Sequence, residues 1–519
     1  MLFGDCPAAL QVQIRSAGHT ADGYRFDLAL FDESSRCCAI VRQLTFKALT
    51  ASRDAASEGL LCERQWRDAE PAAATKVPAM SHLVLILGRH PAFAGLPARL
   101  QAQGTPSLTL SAEDYQQAAL ALVEQFKPRL AAGRPCLVQL VIPAADPQGY
   151  RGLGGLLSSA SREQPALIGQ LIEVSSEVDA PQLARQLSAE AAAPGQGQLR
   201  YLSEAGNLRR QALTWRHRPL GSGPAPWRPD GVYLITGGLG GVGMIFARAI
   251  LDAAPGANVV LCGRTAADAP AVAGKLAQLG ERCHYHAVDL GDAAQVERLI
   301  DGMLTRHGGL HGIIHCAGIT RDTLLLHKTQ ADLEAVFAAK VAGVRHLDRF
   351  SAAVALDCFV LCSSTASVLG NAGQGDYAAA NGYLDVFAGL RNQQVAARAR
   401  HGRTLAINWP LWREGGMQMR DAARRVLAES TGIEAMASAT GVHALYQALQ
   451  TDADQLMVLA GDTDRLAALL SGQPAPQRRL LSIAERCWLR CAGCSPARSR
   501  LPSRGSTTTS RSKNTALIR

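Results

Sequence analysis

Five polar side chains in the C-terminal half of the chain stand in apolar surroundings, at positions that suit proton transfer. Ser363 and Ser364 end the apolar run CFVLCSS, and Tyr377 follows Ser364 by thirteen residues. Asn381 lies four residues after Tyr377, so the two share a face if this stretch is helical. Lys340 has only apolar residues and glycine within four positions on either side, in the stretch LEAVFAAKVAGVRHL. A phenol, a hydroxyl and a cation are groups that can donate a proton to a carbonyl oxygen and hold that oxygen in place.

A glycine-rich turn lies upstream of these residues. The apolar residues 232–235 predict a buried strand, TGGLGGVG follows at 236–243, and the next residues have helical spacing. Between a strand and a helix, the pattern G-x-G-x-x-G (Gly238, Gly240 and Gly243) is typical of dinucleotide binding. The glycines let the backbone approach a pyrophosphate, which the amide groups at the start of the helix then face. A flexible turn is the alternative, but the flanking strand and helix favour a nucleotide site.

Strands and helices alternate over most of the chain, which predicts an α/β fold. We predict two Rossmann-like doubly wound parallel-sheet subdomains. The first, residues 58–225, has no glycine fingerprint after its first strand and is expected to be structural, without a phosphate loop. The second, residues 226–470, is expected to be catalytic, with the polar residues at the carboxyl ends of its strands. Its seven strands are predicted at residues 232–237, 258–263, 283–288, 312–316, 358–363, 404–408 and 455–459.

The two ends of the chain differ from this body. Residues 1–51 contain alternating strands and no helix, and predict a small antiparallel sheet. Residues 471–519 are rich in Arg, Ser and Pro, and predict a disordered basic tail. This tail carries nine arginines, one lysine and one glutamate, which account for the whole net charge of +9. The rest of the chain therefore gives no electrostatic reason to expect nucleic acid. Its cysteines at 487, 491 and 494 have no fourth ligand nearby, so we expect no metal.

Composition argues against a membrane-spanning or secreted protein. No apolar run reaches the roughly 18 residues that span a bilayer. The start MLFGDCPAAL lacks the basic residues and apolar core of a signal peptide. The 13 cysteines are scattered, which suits buried thiols in a reducing compartment better than a disulfide framework. We expect a cytoplasmic protein with no membrane partner.

Several motifs occur together, and in order, in one known family. Residues 232–459 resemble the ketoreductase domain of modular polyketide synthases, within the short-chain dehydrogenase/reductase superfamily. The matching motifs are TGGLGGVG, HCAG, the Lys340 helix, the serine pair, YAAAN and INWPLW. Most of the superfamily has a lysine where Asn381 stands and an asparagine where Lys340 stands, and this exchange is typical of polyketide ketoreductases. Residues 58–225 resemble the family's structural subdomain, and residues 1–51 resemble the last strands of a dehydratase domain.

The resemblance implies NADPH-dependent reduction of a 3-ketoacyl thioester to the 3-hydroxyacyl thioester. The substrate would be carried on the phosphopantetheine of an acyl carrier protein, among neighbouring polyketide synthase domains. Tyr377 would donate the proton, and Ser364 would hydrogen-bond the carbonyl oxygen. Lys340 would lower the pKa of the phenol through its positive charge. Asn381 would order the site and a proton-relay water.

Cofactor contacts are expected from the same resemblance and from residue chemistry. Arg264 follows the second strand, where NAD-dependent enzymes often carry an acidic residue, and favours the 2′-phosphate of NADPH. Thr265 could hydrogen-bond the same phosphate, and Asp289 and Leu290 would flank the adenine. The complete expected set is Thr236, Gly238, Leu239, Gly240, Gly243, Arg264, Thr265, Asp289, Leu290 and Gly318.

Two positions predict the stereochemical course. In polyketide ketoreductases, a Leu-Asp-Asp motif after the fourth strand marks the B type, and a tryptophan eight residues before the tyrosine marks the A type. Here the stretch Thr320-Arg321-Asp322 keeps only the final aspartate, and Leu369 stands at the tryptophan position. Asp322 is therefore the candidate stereocontrol residue, and we predict B-type reduction to the R (D-configured) hydroxyl. The presence of Asn381 disfavours the reductase-inactive C type.

Two alternatives stay open. The chain could be a ketoreductase that acts mainly as an epimerase of the α-carbon, or an inactive truncated synthase fragment that serves only as a scaffold. The intact set of tyrosine, serine, lysine and asparagine argues against a decayed site.

Overall fold

The structure is a computed structural model that describes residues 11–20, 23–32, 36–46, 59–70, 80–195, 197–204, 207–221, 223–417, 419, 421–471 and 517–518. It contains two compact units, residues 1–54 with 477–519 and residues 55–476. Apart from Ser471 and residues 517–518, the predicted disordered tail lies outside the described residues. The three tail cysteines, at which we expect no metal, also lie outside the described residues.

The smaller unit is an antiparallel sheet. Strands β1 (Gln11–Thr20), β2 (Gly23–Phe31) and β3 (Cys37–Phe46) pair in sequence order, and Leu517–Ile518 adds a short strand beside β1. The register between β1 and β2 shifts at residues 16–18, as at a bulge. The antiparallel sheet is present as predicted. Its assignment to the end of a dehydratase domain stays a prediction.

The first half of the larger unit alternates strands and helices. Its strands are β4 (Gly59–Asp68), β5 (Ser81–Leu87), β6 (Ser107–Leu110), β7 (Cys136–Pro143), β8 (Leu167–Val174), β9 (Gln198–Glu204) and β10 (Asn207–Pro219). Its helices are α1 (Leu96–Ala102), α2 (Tyr115–Ala132), α3 (Gly154–Glu163) and α4 (Ala180–Ala192). Strands β5 to β9 pair in parallel, and β10 returns antiparallel to β9.

The turn after β5 carries no phosphate loop, as predicted. His90 fills this turn: one ring nitrogen accepts a hydrogen bond from the amide of Ala92 at 3.1 Å, and the other lies 2.8 Å from the carbonyl oxygen of Ser175. The imidazole therefore occupies this turn and links it to the end of β8. These contacts agree with a structural role for this half.

The second half has the seven strands that the sequence predicts. They are β11 (Val232–Thr236), β12 (Asn258–Gly263), β13 (Cys283–Ala287), β14 (Gly312–His315), β15 (Cys358–Ser364), β16 (Arg403–Trp409) and β17 (Gln455–Ala460). The helices are α5 (Gly241–Ala253), α6 (Pro270–Ala277), α7 (Ala293–His307), α8 (Gln330–Phe337), α9 (Gly343–Phe350), α10 (Ala366–Leu369), α11 (Gly375–Ala396), α12 (Asp421–Thr431), α13 (Ser438–Leu449) and α14 (Thr463–Ser471). The strands are parallel, in the order β13-β12-β11-β14-β15-β16-β17. The predicted α/β fold is confirmed.

The two halves share one sheet of 14 strands, which the sequence analysis did not predict. Strand β4 pairs antiparallel with β17 on one side and with β10 on the other. Its first four residues are buried, so the apolar start of β4 fills the seam. Among the described residues, no helix combines the length and apolar character that crossing a bilayer requires.

The first half also contacts helix α11 of the second half, backbone against backbone. A Cβ atom on Gly152 would lie 2.5 Å from the carbonyl carbon and oxygen of Gly382 in α11. The buried hydroxyl of Tyr115 in α2 donates to the carbonyl oxygen of Ala379 in the same helix, at 2.7 Å. Helix α11 is therefore held in place from the first half of the unit.

Replacing Gly152 by alanine should destabilise the protein, because one methyl group must displace the backbone of α11. Overpacking of this kind costs about 1–3 kcal/mol, which thermal or denaturant unfolding will measure. Gly302 in α7 is a matched control, because a Cβ there meets no atom within 4 Å. Gly302→Ala should leave stability unchanged or raise it by up to about 1 kcal/mol through helix propensity. Equal stabilities for the two variants would contradict the close contact.

Candidate active site

A cleft of about 1390 Å³ lies at the carboxyl ends of the central strands of the second half. Strand β11 pairs with β12 on one side and β14 on the other, so the chain reverses its winding direction here, where parallel sheets bind ligands. The predicted residues that line the cleft are Leu239, Gly240, Gly243, Arg264, Thr265, Asp289, Leu290, Gly318, Asp322, Lys340, Ser364 and Tyr377. Thr236, Gly238 and Asn381 are not part of the lining.

The glycine turn packs too tightly for side chains. A Cβ atom on Gly238 would lie 2.7 Å from Cβ of Leu261 in β12, and one on Gly243 would lie 2.7 Å from the Cα of Gly238. Gly237 has a φ of 62°, which favours glycine. Helix α5 begins at Gly241 after an N-cap, Gly240, that has no side chain to cap the helix. The first amide groups of α5 are thus left to an anion in the cleft, as a pyrophosphate requires.

Thr236 supports the turn from behind. Its hydroxyl lies 2.8 Å from Nδ1 of His315 and accepts a hydrogen bond from the amide of Ala317 at 3.3 Å. Burial lowers the pKa of His315 to about 3, so this ring is neutral. These contacts hold Thr236 behind the turn, and its predicted contact with the cofactor stays a prediction.

Arg264 and Thr265 are exposed at the mouth of the cleft, directly after β12. The hydroxyl of Tyr285 donates to the carbonyl oxygens of Gly263 and Thr265, at 2.9 and 2.7 Å. Tyr285 therefore holds the loop that presents the arginine. The sequence analysis missed this tyrosine, although it lies on the neighbouring strand β13.

Asp289 and Leu290 follow β13 on the same side of the cleft. The Asp289 carboxylate accepts the amide of Gly291 at 2.9 Å, which turns the chain at this point. Leu290 is buried, and its carbonyl oxygen lies 2.8 Å from Nδ1 of His346. Both residues line the cleft.

Lys340 lies on a π-helical turn, Ala338–Ala342, between α8 and α9. Its Nζ donates to the carbonyl oxygen of Cys362 in β15 at 3.0 Å, and lies 5.7 Å from the ring centre of Tyr377. Gly318 makes room for it, because a Cβ there would lie 2.7 Å from Cε of Lys340. Burial lowers the pKa of Lys340 to about 8. The ammonium group of Lys340 therefore has a hydrogen-bond partner, the carbonyl oxygen of Cys362, and lies near the ring of Tyr377.

Tyr377 stands in the first turns of α11, facing the end of β15. Burial raises the pKa of its phenol, and the side chains of Asn381 and Ser364 beside it oppose the rise. Desolvation is the largest effect, so the net shift of this pKa is upward. The lowering effect expected of the positive charge of Lys340 stays a prediction. The phenol is thus held protonated, as a proton donor must be.

Ser364 and Asn381 complete this group. The Ser364 hydroxyl also accepts a hydrogen bond from the amide of Ala366 at 3.2 Å. Asn381 is fully buried and donates through Nδ2 to the carbonyl oxygen of Tyr377 at 2.8 Å. Its Oδ1 is buried and has no hydrogen-bond partner among the described residues. A water bound there would satisfy this oxygen.

Asp322 lines the cleft from the loop after β14, and Leu369 lines it from the last residue of α10. The Asp322 carboxylate accepts a hydrogen bond from Nε2 of Gln374 at 3.1 Å. Its negative charge contributes to the raised pKa of Tyr377, which places Asp322 near the phenol. Gln374, three residues before Tyr377, was missed because a single glutamine carries no recognisable signal.

Other lining residues also escaped the sequence analysis. Gly415 packs over the glycine turn, because a Cβ on Gly241 would collide with its backbone. Trp412 anchors this segment on Trp409, with ring centres 5.1 Å apart. The stretch after Trp412 contains helix α12. In the described part of the chain, no three His, Cys, Asp or Glu side chains are grouped to hold a metal ion.

Comparisons with known proteins match this site to one family. The ketoreductase (KR) domain model matches residues 231–414. The chain is 40% identical to "Polyketide synthase PksN" of Bacillus subtilis (strain 168) over 341 residues, 64% of this chain and 6% of that protein. It is 33% identical to "Polyketide synthase PksL" of the same organism over 484 residues, 90% of this chain and 11% of that protein. The chain thus spans about a tenth or less of these relatives.

A crystal structure of a ketoreductase domain from the bacillaene assembly line has the same fold, with a TM-score of 0.73. It is 31% identical, and the match covers 80% of this chain and all of that one. The predicted resemblance is therefore confirmed. The chain belongs to the ketoreductase family of polyketide synthases, which are oxidoreductases of the short-chain dehydrogenase/reductase type.

Proposed function

We propose that this chain reduces a 3-ketoacyl thioester to the 3-hydroxyacyl thioester with NADPH, during polyketide assembly. The observation that carries the proposal is that Tyr377, Ser364 and Lys340 line the same cleft as the glycine turn. The substrate would be bound to the phosphopantetheine of an acyl carrier protein, with other polyketide synthase domains as neighbours. No described feature favours epimerisation over reduction, and the complete site argues against a scaffold alone.

The residues that line the cleft are suited to hold NADPH. The uncapped start of α5 and the crowded glycine turn would hold the pyrophosphate, and Arg264 and Thr265 the 2′-phosphate. Asp289 and Leu290 would flank the adenine. When bound, the cofactor would supply the hydride.

The residues of the chain itself would supply the proton and orient the ketone. Tyr377 donates its phenolic proton to the carbonyl oxygen, and Ser364 hydrogen-bonds that oxygen and polarises the bond. Lys340 is largely cationic below its pKa of about 8 and stabilises the phenolate that remains. The unpartnered Oδ1 of Asn381 holds the water through which the phenol regains a proton.

Removal of the Tyr377 hydroxyl tests the proton donor. Tyr377→Phe keeps the ring, and turnover of a 3-ketoacyl pantetheine thioester should fall by two or more orders of magnitude, about the scale of general acid catalysis. NADPH affinity should hardly change. Tyr446→Phe is the control, because that hydroxyl bonds Trp227 and Ala249 away from the cleft. Near-normal turnover in Tyr377→Phe would mean that another group donates the proton.

Cofactor choice is tested at Arg264. A hydrogen bond to a charged group contributes about 1.5–3 kcal/mol, so Arg264→Ala should weaken NADPH binding roughly 10- to 100-fold and leave NADH binding nearly unchanged. Fluorescence titration of both cofactors gives the two dissociation constants. Arg248→Ala is the control, because this arginine on α5 bonds Gln278 outside the cleft. It should change neither dissociation constant. Equal losses for both cofactors in Arg264→Ala would refute the assignment.

The third test concerns the face of the ketone. Asp322 lies near the phenol, and Leu369 rather than a tryptophan lines the cleft, so we expect B-type reduction to the R alcohol. About 2.7 kcal/mol of activation free energy separates the faces at 100:1 selectivity. Chiral chromatography of the reduced pantetheine thioester measures the ratio. A predominantly S product would contradict the B-type assignment.

A further inference from the structure

Two loops form the wall of the cleft next to Tyr377. The Asp322 loop (residues 316–325) follows β14, and the Gly373 loop (residues 370–374) leads into α11. They touch each other directly: the amide of Thr323 donates to the carbonyl oxygen of Gly373 at 2.9 Å, and Gln374 bonds Asp322. A shift of either loop therefore moves the other.

Glu163, in the first half of the larger unit, forms hydrogen bonds to both loops. It is the last residue of α3, and its two carboxylate oxygens accept different amides. Oε2 accepts Leu325 N–H at 2.7 Å, and Oε1 accepts Gly373 N–H at 2.9 Å. One side chain of the first half therefore fixes one backbone point in each loop.

A buried ion pair ties the same loops to the tyrosine helix. Nζ of Lys328 lies 2.8 Å from Oδ2 of Asp376, and neither side chain is exposed. Lys328 also donates to the carbonyl oxygen of Arg321 in the Asp322 loop. The other oxygen of Asp376 accepts the amide of Tyr377 at 2.8 Å. The pair thus joins the Asp322 loop to the residue next to the phenol.

The three charged groups act as one network. Burial raises the pKa of both Glu163 and Asp376, and the positive charge of Lys328 opposes that rise in each. The ammonium therefore helps to keep both carboxylates ionised. An ionised carboxylate accepts backbone hydrogen bonds about twice as strong as neutral ones. Neither Glu163 nor Lys328 lines the cleft.

We propose that Glu163, together with the Lys328–Asp376 pair, positions the substrate wall of the cleft and so sets which face of the ketone is reduced. This inference rests on the proposed reductase function. Glu163 and Lys328 are positioning residues, because they act through the Asp322 and Gly373 loops. Facial selectivity would then depend on a residue of the half that does not contain the glycine turn.

The test compares Glu163→Gln with Glu124→Gln in the full chain. Glu163→Gln removes the charge and one of the two acceptor oxygens, whereas Glu124 is an exposed partner of Lys127 on α2. The ratio of R to S alcohol should fall about tenfold in Glu163→Gln. This is the change expected when one hydrogen bond of Glu163 no longer favours one of the two competing transition states. Amide hydrogen exchange, measured without cofactor or substrate, should become faster in residues 316–325 and 370–374. Glu124→Gln should change neither quantity.

The outcomes separate this inference from the proposed function. An unchanged product ratio with unchanged loop exchange in Glu163→Gln would overturn the positioning role, as would a wild-type chain without facial preference. No reduction by the wild-type chain would refute the proposed function, and loop exchange alone would then decide whether Glu163 positions the wall. If Glu163→Gln lowers the melting temperature strongly, Glu163→Asp takes its place. It keeps the charge but is one methylene too short to reach both amides, and the same loss of selectivity is expected.

Discussion

The main chain of helix α11 lies directly against the main chain of the segment that leads into α3, with no side chain between Gly152 and Gly382. A second such contact joins Gly155 of α3 to Ser367, whose carbonyl oxygen would lie 2.7 Å from a Cβ there. Contacts this close have little freedom to slide, because interiors are packed at crystal-like density. The half without a phosphate loop therefore determines where the helix that carries Tyr377 can lie.

That placement has opposite consequences for the protons of the half-buried tyrosine and the buried lysine. Burial raises the pKa of Tyr377 and lowers the pKa of Lys340, because it disfavours the charged form of each. The raised pKa keeps the phenol protonated at neutral pH, as the proposed role of proton donor requires. The pKa of the lysine, at about 8, still leaves most of it cationic at neutral pH. The bond from Lys340 to the Cys362 carbonyl holds that charge in place.

Most of the fold could be predicted from local sequence patterns. The seven strands of the second half are apolar runs bounded by turn residues, and the glycine turn has a spacing that its packing requires. The seam between β4 and β17 was not predicted, because pairing between residues nearly 400 positions apart leaves no local signal. Strand β8, Leu167–Val174, gives no clear period-2 signal, because Gly169 and Gln170 interrupt its apolar residues.

Site residues with distinctive side-chain chemistry could be predicted from the sequence. Those whose role depends on tertiary contacts could not. Tyr377, Ser364 and Lys340 could be grouped because each is a polar residue in an apolar stretch. Their roles stay predictions. The π-helical turn under Lys340 and the clamp made by Glu163 depend on tertiary contacts, and an isolated glutamate at a helix end suggests only a solvated residue. The upward shift of the pKa of Tyr377 could not be predicted, because its largest cause is desolvation and the burial of a side chain cannot be read from the sequence.

The central claim is that one cleft brings a nicotinamide cofactor and a protonated phenol to the same carbonyl group. Incubation of the folded chain with NADPH that carries deuterium at C4 of the nicotinamide, and with a 3-ketoacyl pantetheine thioester, tests it most directly. Mass spectrometry of the product should find one deuterium at C3 of the hydroxyacyl chain, from one of the two C4 positions only. A folded chain that binds NADPH but transfers no deuterium to C3 would contradict the account.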